Sequence, residues 1–286
     1  MPVLLRKSRV PRRIYAFWGQ GPEKAPDVVQ LNLERWRSLN PDYELTILDK
    51  PAADALLTTT TIPAEVIASL PFAAYSDVLR AHLLRTEGGV WIDASIYPVR
   101  PLSQWLPKVT GPGFFGFRGP KLDRPIASWL LASTPGHPII TTWWDLVADY
   151  WDRPRTFPAH KHAVRDVDPV TRVAPEGRGD AAPYFWFHYL FAYGLRVDPA
   201  FAREWGKVRE VWPGQCFRVW KAVRWNRWNN PQRLATLTAA APVQKLALDI
   251  AEAYPVDVMR TPEFLTALER ALTKEPLIPE KIRKDD

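Results

Sequence analysis

The sequence predicts an α/β domain with a mainly parallel central sheet flanked by helices, and three observations carry that prediction. The first hundred residues alternate strand-like and helix-like segments, as a parallel sheet with crossover helices requires. Of 286 residues, 47% are hydrophobic and 24% charged, a soluble globular balance with enough apolar material for a large core. Trp18, Asp49 and Asp93 each fall at the carboxyl end of an expected strand, where open α/β sheets bind their ligands.

Residues 12–18 are aromatic and apolar, lie between Pro11 and Gly19, and read as the first strand. After a Gly19-Gln20-Gly21-Pro22 loop, a helix begins near Pro26. It carries Val29, Leu33, Trp36 and Leu39 at helical spacing and stops at Asn40-Pro41. Residues 43–48 alternate as a second strand. Residues 63–70 form a short helix broken by Pro71, and a stronger helix covers 73–86. Gly88-Gly89 ends it, and residues 90–92 form a buried strand that stops at Asp93. Residues 114–118 read as a further strand and 137–151 as a helix. The stretch 152–182 is rich in Pro, Gly and charge and reads as a long loop, a candidate lid over a ligand. Residues 184–191 are intensely aromatic, 247–254 and 262–273 read as helices, and the polar tail 281–286 is expected to fray. No linker splits the chain. The expected organisation is one domain over 1–286, with a nucleotide-binding half (10–100), an acceptor-side half (101–250) and a helical C-terminal segment (243–280).

Composition narrows the function. The single cysteine, Cys216, excludes an intrachain disulfide and a cysteine-based zinc site. The net charge of +7 suits an anionic partner: nucleic acid, a membrane surface or a phosphorylated ligand. Basic residues gather at Arg6, Lys7, Arg9, Arg12 and Arg13. They also interleave with Trp220, Trp225 and Trp228 between Lys221 and Arg233. That second stretch reads first as a solvated, partly packed face and second as a docking surface for an anionic lipid-linked acceptor. No nucleic-acid recognition module is present, so nucleic acid is not expected as a partner. No apolar run approaches the ~20 residues of a membrane span, and Val3-Leu4-Leu5 is too short for a signal-peptide core. The expected location is the cytoplasm, peripheral at most at the inner face of the membrane.

The strongest constellation is Ser76-Asp77-Val78-Leu79-Arg80 followed by Gly88-Gly89-Val90-Trp91-Ile92-Asp93-Ala94-Ser95. Asp77 and Arg80 are three apart and share a helix face; on their own they read equally as an exposed ion pair. The glycine turn and strand then deliver Asp93 to a loop, where a carboxylate can hold Mg²⁺ or Mn²⁺ together with substrate phosphates. Arg80 can grip oxygens in a rigid fork, and Asp77 can accept from sugar hydroxyls.

These strings resemble the capsular polysaccharide synthesis glycosyltransferases, relatives of the DXD-type sugar transferases and of the glucosylating toxin domains. Phe17-Trp18-Gly19-Gln20-Gly21, Trp36, Asn40-Pro41-Asp42, Pro101-Leu102, Phe114–Phe117, Ser128-Trp129, Ala132-Ser133 and Tyr184–His188 also fit. The resemblance implies a GT-A fold, a nucleotide-sugar donor (a UDP-sugar) and transfer of a hexose to a surface polysaccharide or related glycan, free or lipid-linked. By position it implies a nucleotide site at Phe17, Trp18, Asp49 and Ser76, with the Trp18 ring stacked on the base. Asp77, Arg80 and Asp93 would be the catalytic set, Asp77 and Arg80 also contacting the donor sugar. Trp186 and His188 would line the donor-sugar or acceptor side, and Asp93 with Ser95 would hold Mn²⁺ or Mg²⁺. Ser95 departs from the last acid of DXD, and a neutral hydroxyl is a poorer ligand than a carboxylate, so metal dependence stays open here. Retention is the implied outcome, the leaving diphosphate taking the acceptor proton; inversion would require a base, for which His188, Glu176 and Asp180 are candidates. Two other classes remain: a nucleotide-sugar-binding protein without catalysis, and a basic membrane-surface or nucleic-acid binder.

Overall fold

The computed structural model describes residues 10–157 and 168–278. Arg6, Lys7, Arg9 and the 281–286 tail lie outside the described residues, as does part of the 152–182 loop. In chain order the strands are β1 (Arg13–Phe17), β2 (Glu44–Leu48), β3 (Gly89–Ile92), β4 (Ile96–Pro98), β5 (Phe114–Lys121), β6 (Arg124–Ser133) and β7 (Val243–Lys245). The helices are α1 (Asp27–Leu39), α2 (Lys50–Leu57), α3 (Ala64–Ser69), α4 (Phe72–Thr86), α5 (Leu102–Trp105) and α6 (Pro138–Tyr150). They continue as α7 (Trp186–Val197), α8 (Pro199–Gly206), α9 (Arg218–Arg224), α10 (Pro231–Ala239), α11 (Val256–Arg260) and α12 (Pro262–Leu272).

The five-stranded sheet has the order β2-β1-β3-β6-β5. β1 pairs in parallel with β2 and β3, β6 runs antiparallel to β3, and β5 antiparallel to β6. Four of the five strands therefore point one way, which is the mainly parallel α/β sheet the sequence predicts. Side-chain alternation sorts each strand onto two buried faces. Ile14, Ala16, Val90, Ile92, Phe115 and Leu130 pack against α1 and the C-terminal helices. Tyr15, Phe17, Trp91, Phe114, Ile126 and Leu131 pack against α4, α6 and α7. Both faces are covered, so β6 reads as an almost continuous apolar run with no polar side to mark it as a strand. Sequence periodicity missed it for that reason.

The chain order turns back at β1: β2 lies on one side of it and β3 on the other. Such a switch point opens a crevice at the carboxyl ends of the flanking strands. The Gly88-Gly89 turn that feeds β3 depends on glycine twice. Both residues have positive φ (66° and 96°), and a Cβ on Gly89 would lie 2.8 Å from the Arg13 carbonyl oxygen of β1. A second, two-stranded sheet pairs β4 with β7 antiparallel, setting Ile96 opposite Lys245. This long-range pairing joins residues some 150 apart in sequence, and it shapes one wall of the site.

Candidate active site

A cleft of about 610 Å³ opens at the switch point. Its floor carries Ser76, Asp77 and Arg80 from α4 and Asp93 and Ser95 from the turn after β3. One rim carries Trp18, Gly19 and Phe72, and the opposite walls carry Tyr184, Phe185 and His188 on one side and Lys245–Leu248 on the other. Gly19 lies close under the Phe72 ring: a Cβ there would lie 2.6 Å from it, so any larger residue would have to push that exposed ring aside.

The turn bearing Asp93 and Ser95 is held from below by α1. The fully buried Asn32 donates from Nδ2 to the Ala94 carbonyl (2.9 Å) and Trp36 donates from Nε1 to the Ile96 carbonyl (2.9 Å). From the side, the Asp93 N–H donates to the Trp129 carbonyl of β6 at 2.8 Å. Hydrogen bonds to two elements, α1 and β6, thus fix the backbone of the turn that carries the Asp93 carboxylate.

Arg80 gathers the two aspartates. Its Nη2 lies 3.2 Å from Asp77 Oδ1 and 3.3 Å from Asp93 Oδ1. The same guanidinium donates to the Ser128 carbonyl (2.7 Å), the Ser76 carbonyl (3.1 Å) and Ser76 Oγ (2.9 Å), and it lies over the Trp91 ring at 5.1 Å. Arg80 is only 4% exposed. Arg80 is a largely buried hub that positions Asp77 and Asp93 and still lines the floor of the cleft. The exposed ion pair that two residues three apart suggest in isolation is not what forms.

Asp93 binds a second cation. Lys245 Nζ donates to Asp93 Oδ2 at 2.8 Å and to Ser95 Oγ at 2.5 Å. Burial disfavours the Asp93 anion, but Lys245 first and Arg80 second outweigh it, holding its pKa below the usual carboxylate range. Asp77 goes the other way. Burial, with the neighbouring Asp93 charge, outweighs Arg80 and pushes its pKa up to about 7. The two carboxylates share one cation yet titrate apart, because only Asp93 has the lysine.

Asp93 and Ser95 come together as the sequence suggests, but they do not fit a divalent ion as arranged. A hard cation needs its oxygens at roughly 2.1 Å and keeps several of them. Here the pair is bridged by an ammonium group, one Asp93 oxygen is taken by Arg80, and Ser95 is neutral. Among the described residues no group of three or more His, Cys, Asp or Glu gathers anywhere.

Other expected residues separate clearly. Trp18 lines the cleft, with its buried Nε1–H lacking a protein acceptor. Phe17 also lines it, its ring packed 5.3 Å from that of Tyr75. His188 lines the wall with Nδ1 buried and unpartnered, and burial, with Arg80 and Arg124 nearby, drives its pKa down to about 3. It is neutral at any ordinary pH and a weak base. Asp49 is not among the lining residues: its carboxylate caps α2, accepting from the Ala52 N–H at 2.9 Å. Trp186 is also absent from the cleft. It is 1% exposed and stacks on Tyr150 at 5.8 Å, deep in the aromatic core. Glu176 and Asp180 are exposed and outside the cleft lining.

Lys245 was not legible in the sequence. No local motif surrounds Val243-Gln244-Lys245-Leu246, and only the β4–β7 pairing brings it to Asp93. The buried Gln244 fixes that strand: its Oε1 accepts from the Val219 N–H (3.2 Å) and its Nε2 donates to the Thr238 carbonyl (3.1 Å).

A family model for capsular polysaccharide synthesis proteins matches residues 5–160, more than half of the chain. The chain belongs to that family. Among curated relatives, HOC1 of Saccharomyces cerevisiae, described by name as a glycosyltransferase, is 26% identical over 46% of this chain and 38% of its own length. The O-glycosyltransferase braB of Annulohypoxylon truncatum is 26% identical over 54% of this chain and 41% of its own. Glycosyltransferase afumC of Aspergillus fumigatus is 25% identical over 62% of this chain and 50% of its own. The chain thus spans half or less of the length of the curated relatives it matches. Among solved structures, the PaToxG glycosyltransferase superposes over 94% of this chain and 88% of its own, at 15% identity and a TM-score of 0.42.

Proposed function

We propose that this family member is a nucleotide-sugar-dependent glycosyltransferase that moves a hexose from a UDP-sugar to a glycan acceptor of a surface polysaccharide. The observation that carries this is the convergence of Asp77, Arg80, Asp93 and Trp18 on one cleft at the switch point of the sheet. UDP and the glycan acceptor rest on the family resemblance alone.

Each residue then has a role set by its chemistry. The Trp18 ring lines the cleft and offers a flat face to the base. Asp77 faces the sugar, accepting from a hydroxyl when ionised. Arg80 holds both carboxylates in place at the floor of the cleft. In the reaction the bond from the anomeric carbon to the β-phosphate oxygen breaks, a bond to the acceptor oxygen forms, and the acceptor proton passes to the departing diphosphate. Proton transfer on the face being vacated gives retention. This route requires no enzyme base, and the His188 ring holds a proton too weakly to serve as one.

An exposed basic and aromatic stretch outside the cleft is the proposed docking face for the acceptor. Trp225 is 62% exposed and flanked by Arg224 and Arg227, a composition suited to an anionic membrane surface and a lipid-linked acceptor at its inner face. Among the described residues no helix is long and apolar enough to cross a membrane.

Mass-spectrometric screening of donor hydrolysis by the intact chain, over a panel of nucleotide sugars, tests the proposal. Turnover of one donor is expected, and Asp93→Ala should abolish it. Binding without turnover across the whole panel would replace the enzyme reading with that of a non-catalytic nucleotide-sugar-binding protein.

A further inference from the structure

We infer that Lys245 does the work of a divalent cation in this site, so that donor binding and diphosphate departure require no added metal. The inference rests on the glycosyltransferase reading above and concerns how that cleft meets a diphosphate.

The position is built. The β4–β7 pairing sets Lys245 opposite Ile96, next to the Asp93–Ser95 turn, and the Leu246 N–H donates to the Ser95 carbonyl at 3.0 Å, locking the two segments together. Gln244 anchors the strand from its other face. The ammonium therefore lies between the two side chains that a DXD-like turn offers to a metal.

The chemistry follows from the donor count. An ammonium has three N–H groups. Two go to Asp93 Oδ2 and Ser95 Oγ; among the described residues the third has no protein acceptor, and the lysine lines the open cleft at 20% side-chain exposure. A phosphate oxygen in the cleft would complete it. Lysine binds phosphate as a compact point charge, and it would stay in contact as negative charge grows on the oxygen leaving the anomeric carbon. A divalent ion at the same two oxygens would have to displace the ammonium or sit beside it against like-charge repulsion.

Ser95 then has a reason. A second carboxylate at position 95 would give the turn two negative charges against one lysine, whereas a hydroxyl accepts from the ammonium without adding charge. The departure from DXD and the presence of Lys245 are two halves of one arrangement.

Calorimetric titration of the full chain with UDP and with GDP, each in chelator and each with excess Mn²⁺, tests this without relying on turnover. The wild-type Kd for the nucleotide that binds should agree within about twofold between the two conditions. Lys245→Gln removes the charge and keeps an N–H donor, on a side chain one bond shorter. It should weaken binding by about tenfold or more in chelator and regain part of that loss with Mn²⁺, now admitted to Asp93. A wild-type protein that binds nucleotide only with Mn²⁺ overturns the inference while leaving the glycosyltransferase reading intact. So does a Lys245→Gln variant that binds in chelator as tightly as wild type. If Lys245→Gln fails to fold by circular dichroism, the wild-type pair of titrations still decides. A wild-type chain that binds neither nucleotide in either condition removes the donor-site reading itself.

Discussion

The two sides of the cleft were made by different physics. The α4–β3 side comes from one stretch of chain, residues 76–95, in which a helix, a glycine turn and a strand carry Asp77, Arg80 and Asp93 into contact. It is deeply buried and cross-braced. The β7 side comes from residues 243–248, brought in by a three-residue strand and continued by a kinked 3₁₀ segment (Leu248–Ala253). One side is a rigid acid-and-base hub and the other a single lysine on a short strand. A cleft of this kind keeps its charge geometry in a local motif and completes it through a tertiary contact that no motif describes.

The largest break in that comparison is Arg80→Ala. Removing a buried cation that holds two carboxylates should lower stability by about 3–5 kcal/mol, measured by urea unfolding. A loss below about 1 kcal/mol would mean that the hub is ornamental to the fold. Asp93→Ala should follow, cutting kcat/KM for donor turnover by about a hundredfold or more. The melting temperature should also fall, because Arg80 and Lys245 each lose a partner. Wild-type turnover in this variant would place the chemistry elsewhere. Trp18→Ala should weaken nucleotide binding by about 1–3 kcal/mol, the range for base stacking on an aromatic ring, and should also lower stability because the ring packs against the core. An unchanged Kd would assign Trp18 to packing.

The smallest effect sharpens the contrast between the two aspartates. Asp77 has its pKa raised from the ordinary 3.8 to about 7, so the folded protein holds that proton more tightly than the unfolded chain does. The stability this contributes is present below about pH 4 and lost as pH rises through about 7. Asp77→Asn, a permanent mimic of the neutral form, should therefore match wild type at pH 4 and melt at a higher temperature at pH 8. Asp93, whose pKa is lowered, contributes with the opposite sign: stability present above the unfolded-state pKa and lost on acidification. Equal melting temperatures for wild type and Asp77→Asn across the range would show that Asp77 is not a strained acid.

Much of the first side was legible beforehand. The glycine pair marks a turn needing positive φ, the apolar run after it marks a buried strand, and polar residues stranded at the end of that run belong to a loop at the rim of the sheet. Asp77 and Arg80 were placed on one helix face by spacing alone. Their burial was not legible, because it depends on Ser128, Trp91 and Phe187 closing over the guanidinium from other elements. Asp49 and Trp186 mark the opposite limit. An acid at a strand end reads the same whether it meets a ligand or caps the next helix, and α2 was not expected. An aromatic residue in a dense cluster reads the same as core or as cleft, and the packing of α6 against α7 makes Trp186 core.

By itself the sequence determined the α/β class, the cleft-facing strand ends at Trp18 and Asp93, and the local Ser-Asp-x-x-Arg and Gly-Gly-x-x-x-Asp strings that place three charged groups within one supersecondary unit. These depend on periodicity, backbone freedom and short loops, all of which act between near neighbours in the chain. Only the tertiary structure decided that Arg80 turns inward, that Asp77 and Asp93 titrate apart, and that Lys245 bridges Asp93 and Ser95. Burial and charge pairing are set by what lies across space, and for Asp93 that partner arrives 152 residues later along the chain.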